Sequence, residues 1–152
     1  MTAVDTSIRQ ATAAEAASIS AIIGRVVTEP NPVAFTSALS PDQVTNWLRR
    51  LGDQGAIFVA EAGGEAVGFG ALDYNTETPD TATLGVWLLP EWRRRGIATQ
   101  LGGCLIDFAR EAGYKRIRGR LPERNEPALS FLSSLGALVP MTNPEMSFEL
   151  PL

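Results

Sequence analysis

Between Thr81 and Leu121 the apolar period of the chain changes from two to helical and back to two. Thr81 to Leu89 alternates, with Ala82, Leu84, Val86 and Leu88 on one side, the pattern of a strand. A basic loop containing glycine, Arg93 to Ala98, follows. Leu101, Cys104, Leu105, Phe108, Ala109 and Ala112 then recur at helical spacing as far as Gly113, and Arg116 to Leu121 reads as a strand again. A strand, a helix and a strand in this order form a β-α-β crossover. Such a crossover requires a sheet with helices on its faces.

The rest of the chain adds hairpins and more helices. Ser7 to Gln10 is a short strand. Thr12-x-x-Glu15 is a capping box that opens a helix with Ile19, Ile22, Ile23, Val26 and Val27 on one face. Ser40-Pro41-Asp42-Gln43 opens a second helix, carrying Val44, Trp47, Leu48 and Leu51 and ending at Gly52. Ala56 to Ala62 and Ala66 to Asp73 form a hairpin about Gly63-Gly64. Asn125 to Leu135 reads as a helix closed by Gly136, and Ala137 to Val139 and Met146 to Leu150 as two last strands. The predicted order is β-α-α-β-β-β-α-β-α-β-β with two crossovers. This is an α/β class chain with a mixed, α+β-like sheet, in one domain over residues 1–152. A domain of this length buries roughly 70% of its unfolded surface and needs no disulfide or metal to fold.

Composition removes whole classes of chemistry. The chain has no histidine and one cysteine. A Ser-His-Asp triad, a Cys-His dyad, a histidine zinc helix and a Cys-rich zinc site are therefore excluded, and no metal is expected. Thirteen basic against 17 acidic side chains give a net charge of −4, opposite to the basic excess of nucleic-acid binders. The N-terminus lacks a signal-peptide pattern, and no apolar run approaches the ~18 residues of a membrane span. A cytoplasmic chain without nucleic-acid or membrane partners is expected.

The loop at Arg93 carries the most chemistry. Amides of Arg94, Arg95, Gly96, Ile97, Ala98 and Thr99 at a helix start form a cradle for phosphate, and the arginines add charge. A solvated basic turn would carry the same arginines. No Gly-Lys-Ser/Thr is present, so this is not a Walker A loop. Gly68-Phe69-Gly70 sits within a strand, not before a helix, and so is not a dinucleotide fingerprint.

Pro90-Glu-Trp-Arg93-x-x-Gly96-x-Ala98 resembles the R/Q-x-x-G-x-G/A pyrophosphate motif of the GCN5-related N-acetyltransferases (GNAT). Asn125-Glu-Pro-Ala128-Leu-Ser-Phe131-Leu132-x-x-x-Gly136-Ala137 resembles that family's later helix. Thr83-Leu-Gly-Val-Trp-Leu-x-Pro90 and Ile97-Ala98-Thr99 further resemble the branch that acetylates N-termini of ribosomal proteins. The resemblance implies that acetyl-coenzyme A lies in a wedge between the strand ending at Leu89 and the strand starting at Arg116. Its pantetheine arm would pair with the backbone of Val86, Trp87 and Leu88, and its pyrophosphate would rest on Arg94 to Thr99, with Arg93 also among the coenzyme-binding residues. The Val86 N–H would polarise the acetyl carbonyl in an oxyanion-hole role. Asn125 would contact the coenzyme, although capping its own helix explains an Asn equally well. Gly85 in mid-strand fits either a bulge that opens the wedge or room for a neighbouring side chain.

The chain departs from the family where proton transfer belongs. Leu132 stands where many members carry a Tyr, Thr83 where the ribosomal branch often has Glu, and Ala128 where it has Ser. A hairpin register pairing Ala71 with Thr83 puts Asp73 on the face of Thr83, which makes Asp73 a candidate carboxylate; a solvated strand end is the plainer role for it. Tyr74 and Glu29 are further candidates, each explained as well by packing or surface charge. Cys104 reads as a small buried hydrophobe. The loops Pro30–Leu39, Tyr74–Asp80 and Met141–Glu145 are expected to wall the acceptor. The function implied is acetyl transfer to a primary amine of a small molecule or a peptide N-terminus, with a homodimer allowed. The alternative is an acetyl-coenzyme A sensor or partner-binding module without turnover.

Overall fold

The computed structural model describes residues 6–28, 37–120 and 147–152. Strand β1 is Thr6–Gln10, and a single 3-10 turn, Ala13–Glu15, leads into α1, Ala16–Val26. Helix α2 is Pro41–Leu51. Strands β2 (Ala56–Ala62), β3 (Glu65–Tyr74) and β4 (Thr81–Leu88) follow. A second 3-10 turn, Pro90–Trp92, precedes α3, Ile97–Glu111, and β5 (Arg116–Arg120) and β6 (Ser147–Pro151) complete the order. Among the described residues the strands form one six-stranded sheet in the order β1-β2-β3-β4-β5-β6. Every neighbouring pair is antiparallel except β4–β5, which is parallel. That pair is the crossover expected from the change of period. The expected Asn125 helix and Ala137 strand, and with them the second crossover, lie outside the described residues; β6 returns antiparallel to β5.

The local signals act as their chemistry requires. Both capping boxes are closed, Thr12 with Glu15 and Ser40 with Gln43. The first caps the 3-10 turn that feeds α1. Gly63 and Gly64 both have positive φ, as a tight hairpin of right-handed strands demands. Helices α1 and α2 cover one face of the sheet, burying Ile19, Ile22, Ile23, Val44 and Leu51 against Ile57, Val59, Phe69 and Ala71. Helix α3 covers the other, with Leu105, Ile106 and Ala109 against Leu72, Ala82, Ile117 and Leu150. Ala112, expected on the apolar face of α3, is exposed, and Ile106 takes its place in the core.

One expectation needs correcting. Ala71 pairs with Gly85, not with Thr83, and Asp73 stands directly opposite Thr83. The register differs by two residues. A shift of two leaves every side chain on the same face, so hydrophobic alternation cannot detect it. Asp73 and Thr83 therefore still share a face.

Glu15 ties the first strand to the first helix. It accepts hydrogen bonds from the N–H and hydroxyl of Thr12 and pairs with Arg9, which also pairs with Glu61. Burial pushes the Glu15 carboxyl up, and the bonds from Arg9 and Thr12 outweigh it, holding the pKa at about 2 against an ordinary 4.5. A carboxyl lowered in the folded state contributes stability that is complete above the unfolded value and is lost as pH falls through the folded one. The melting temperature of the native chain should thus fall steeply from pH 4.5 toward 2. Glu15→Gln should melt lower than the native chain at neutral pH and show a shallower slope in that window, read by circular dichroism. Equal slopes would show that Glu15 is not the linked group.

Candidate functional site

Among the described residues the parallel ladder between β4 and β5 is shorter than β4 itself. Its pairs run from Thr81↔Arg116 to Leu84↔Gly119, although β4 continues to Leu88. From Gly85 onward β4 therefore has an edge not laddered to β5. Strand alternation shows which groups that edge presents. The Leu89 N–H donates to Val67 in β3, and the Trp87 carbonyl faces Gly68 in β3. The Leu84 carbonyl faces Gly119 in β5. Backbone groups of even-numbered residues thus point away from β3, and those of Val86 and Leu88 lie on the open edge. The Leu88 carbonyl is already taken, accepting from Nε and Nη2 of Arg93 at 3.2 and 2.9 Å. Val86 contributes an N–H and a carbonyl to the opening. Trp87 turns its backbone to β3.

The basic loop closes the far end of this edge. Arg94 and Gly96 are both left-handed, with φ of 63° and 82°. Gly96 is the residue before α3, and no side chain caps the helix there. The first bond of the helix runs from Gln100 N–H to the Gly96 carbonyl, so the amides of Ile97, Ala98 and Thr99 have no acceptor within the helix. Left-handed turns of this kind gather N–H groups into an anion-binding concavity. Arg94, Arg95 and Thr99 are exposed around it. The loop is anchored on both sides. Arg95 lies over the Trp92 ring at 4.8 Å, and Arg25 of α1 grips Glu91 with two bonds of 2.9 and 3.1 Å. The Arg25 fork holds the Glu91 carboxyl below its usual range.

Beside the opening, on the α1/α2 face, aromatic rings form a continuous chain. Trp87 stacks on its cross-strand partner Phe69 with centroids 5.0 Å apart, and Phe69 meets Trp47 of α2 edge-on at 6.4 Å. The Trp87 indole leans back across Gly85, where any Cβ would overlap it. The β3–β4 register is continuous through Gly85, so this glycine makes room for a side chain. Trp47 Nε1 donates to Asp73 at 3.1 Å, and Arg50 holds both Asp73 oxygens at 3.0 and 2.6 Å. The same carboxylate raises the proton affinity of Arg50. Thr83, opposite Asp73, is exposed.

The site residues named from sequence therefore fall into two groups. Val86, Leu88, Arg93, Arg94, Arg95, Gly96, Ile97, Ala98 and Thr99 follow one another from the β4 edge to the start of α3, and Trp87, named with them, turns its backbone to β3. Asp73 stands about 10 Å further down the strand, three residues below Gly70, the partner of Val86. The Tyr74–Asp80 loop lies at the closed end of the ladder, where Asp80 accepts from Lys115 and Arg116. Tyr74 sits under Arg50 at 5.2 Å. Cys104 is a half-buried free thiol on α3. Glu29, Asn125, Ala128, Leu132, residues 30–36 and 141–145 lie outside the described residues. Sequence reasoning missed Trp47 and Arg50 as the holders of Asp73. Their signal was the i, i+3 spacing of a tryptophan and an arginine on one helix edge. Among the described residues no group of three His, Cys, Asp or Glu could hold a metal, and no helix is long and apolar enough to cross a membrane.

Among the described residues, the last pair of the parallel ladder lies on the side of β4 that leads to an uncapped, basic helix start, the place where the acetyltransferase resemblance expects a wedge and loop. The chain belongs to the acetyltransferase (GNAT) family, whose model matches residues 23–137. The uncharacterized N-acetyltransferase MJ1207 of Methanocaldococcus jannaschii is 32% identical over 95 residues. That match takes in 59% of this chain and 42% of the archaeal protein, so the chain spans less than half of that relative. Among solved structures, yncA of Salmonella typhimurium, which carries its cofactor acetyl-CoA, superposes with a TM-score of 0.80. It covers 97% of this chain and 94% of its own at 20% identity. A ribosomal-protein-alanine N-acetyltransferase of Brucella melitensis gives a TM-score of 0.79 at 20% identity, over 96% of this chain and 99% of its own. At such identities the likeness is one of fold.

Proposed function

We propose that the chain transfers the acetyl group of acetyl-coenzyme A to a primary amine of a small molecule or a peptide N-terminus. The observation that carries this reading is the joining of a strand edge at Val86, not laddered to any other strand than β3 among the described residues, to a left-handed, uncapped loop at Gly96. An extended arm bearing amides and carbonyls needs such an edge, and a pyrophosphate needs such a concavity, so the residues present fit the coenzyme. Acetyl-coenzyme A, when bound, supplies a thioester whose thiol, with a pKa of about 8.5, leaves readily without an acid.

The chain's own residues supply donors and position. Val86 offers its N–H as a fixed donor for an acyl oxygen, and the amides of Gly96 to Thr99 and the arginines hold the phosphates. Arg93 spends its guanidinium on the Leu88 carbonyl and so fixes the path from strand to loop. Trp87 excludes water from the α1/α2 side of the opening. Asp73 is the carboxylate of the acceptor face, and with its oxygens committed to Arg50 and Trp47 it reaches an amine proton through water.

The same commitment of Asp73 favours a second reading, in which the chain binds acetyl-coenzyme A without turning it over. Two measurements separate them. Tryptophan fluorescence should respond to acetyl-coenzyme A under both, because Trp87 and Trp92 flank the opening. Release of free thiol in an amine panel should rise at least about ten-fold above the amine-free background if transfer occurs. Saturable binding with no release across the panel would favour the sensor.

A further inference from the structure

We infer that Arg25 and Glu91 are positioning residues for the coenzyme: their ion pair ties α1 to the turn before the basic loop and holds that loop in the shape that takes phosphate. The inference rests on the reading of residues 94–99 as the phosphate site. Two features show that the loop needs holding. Arg94 is left-handed at a φ of 63°, a conformation that a residue with a Cβ adopts only at a cost. The turn that leads into it, Pro90–Trp92, is a single 3-10 turn without a side-chain cap, and such turns have poor hydrogen-bond geometry. The ties of Arg93 to the Leu88 carbonyl and of Arg95 to the Trp92 ring stay within residues 88–95. The fork of Arg25 on Glu91, at 2.9 and 3.1 Å, reaches 66 residues back along the chain to another layer of the fold.

Arg25 is a fixed anchor. It sits in the last turn of α1, where its carbonyl accepts from the hydroxyl and the N–H of Thr28 at 2.7 and 3.3 Å. Its neighbours Ile22, Ile23 and Val26 are buried in the cluster that also contains Leu89, and Trp87 and Trp92 pack against that cluster. The end of α1 is thus seated in the core, and Glu91 takes its position from it. Charge adds a second effect. Glu91 is a carboxylate just before an anion-binding loop, and Arg25 neutralises it. Arg93 also acts on Glu91 through charge. Without Arg25, the Glu91 carboxylate would draw on Arg93, the residue that holds the Leu88 carbonyl at the head of the loop. Removing Arg25 alone should therefore harm the loop more than removing both partners. Both side chains are about half exposed, so the pair contributes little to global stability, and its effect falls on the loop.

The test uses the full chain and acetyl-coenzyme A, with affinity read by titration calorimetry and folding by the melting temperature. Arg25→Gln should weaken binding about ten-fold and Glu91→Gln about three-fold. Each should melt within about 2 °C of the native chain. The double variant should lose about three-fold, matching Glu91→Gln, and not the roughly thirty-fold product of the two single losses, because the stranded carboxylate is gone. Arg25→Lys should recover part of the loss, since it returns the charge without the fork. Native affinity in Arg25→Gln would overturn the inference, and so would multiplied losses in the double variant. Losses that only follow a fallen melting temperature would make the pair a support of the whole fold and overturn it too. Each of these outcomes leaves the phosphate site standing. Failure of the native chain to bind acetyl-coenzyme A would instead overturn the reading on which the inference rests.

Discussion

A Gly96→Glu chain should fold and bind acetyl-coenzyme A at least about a hundred-fold more weakly than the native chain. Gly96 holds φ at 82°, and a Cβ added there would meet nothing within 4 Å. The side chain therefore has room, and the cost to folding is the left-handed strain alone, about 1 to 2 kcal/mol. The cost to binding is larger. A new carboxylate within about 4 Å of a pyrophosphate oxygen is repelled by about 1 kcal/mol in bulk water and about 4 kcal/mol near a protein surface. It also opposes the partial positive charge of the α3 N-terminus. Gly96→Gln separates the two effects, because it carries the same strain and bulk without the charge; its loss should be nearer ten-fold. Circular dichroism establishes folding, and fluorescence titration gives the affinities. A folded Gly96→Glu chain with native affinity would mean that the phosphates lie elsewhere.

The elements were legible where two independent signals coincided. Thr12 with Glu15 and Ser40 with Gln43 announced helix starts, and the apolar faces behind them agreed. The change of period around Arg93 announced the crossover, and with it the parallel pair β4–β5. What alternation could not show was register, since Ala71 opposite Thr83 and Ala71 opposite Gly85 bury the same side chains. It also could not show that Gly85 is a seat for the Trp87 indole, because that depends on a rotamer leaning along the strand. The Asp73–Arg50–Trp47 cluster joins β3 to a helix 23 to 26 residues away. The i, i+3 spacing puts Trp47 and Arg50 on one helix edge, but local sequence does not say which strand residue that edge meets.

Replacing Phe69 by Ala should cost about 3 to 5 kcal/mol, lowering the melting temperature by roughly 10 °C. Phe69 is fully buried, at 0% exposure, and it is the ring on which two functional side chains depend. Trp87 stacks on one side of it and Trp47 meets its edge, so its removal opens a cavity and undoes two aromatic contacts of about 0.5 to 1.5 kcal/mol each. With a net stability of about 5 to 15 kcal/mol for such a domain, the variant is folded at low temperature but marginal. Two of the three tryptophans lose their packing, so near-ultraviolet circular dichroism should weaken even where far-ultraviolet signal is kept. Phe69→Leu distinguishes filling from stacking. It restores most of the buried volume and should recover most of the melting temperature. It does not restore a ring under Trp87, so the near-ultraviolet signal and the KM for the acceptor should remain altered. Recovery of all three in Phe69→Leu would reduce Phe69 to a space-filling residue. Recovery of stability alone would make it the support that holds the Trp87 indole across Gly85, beside the edge where the amine must approach.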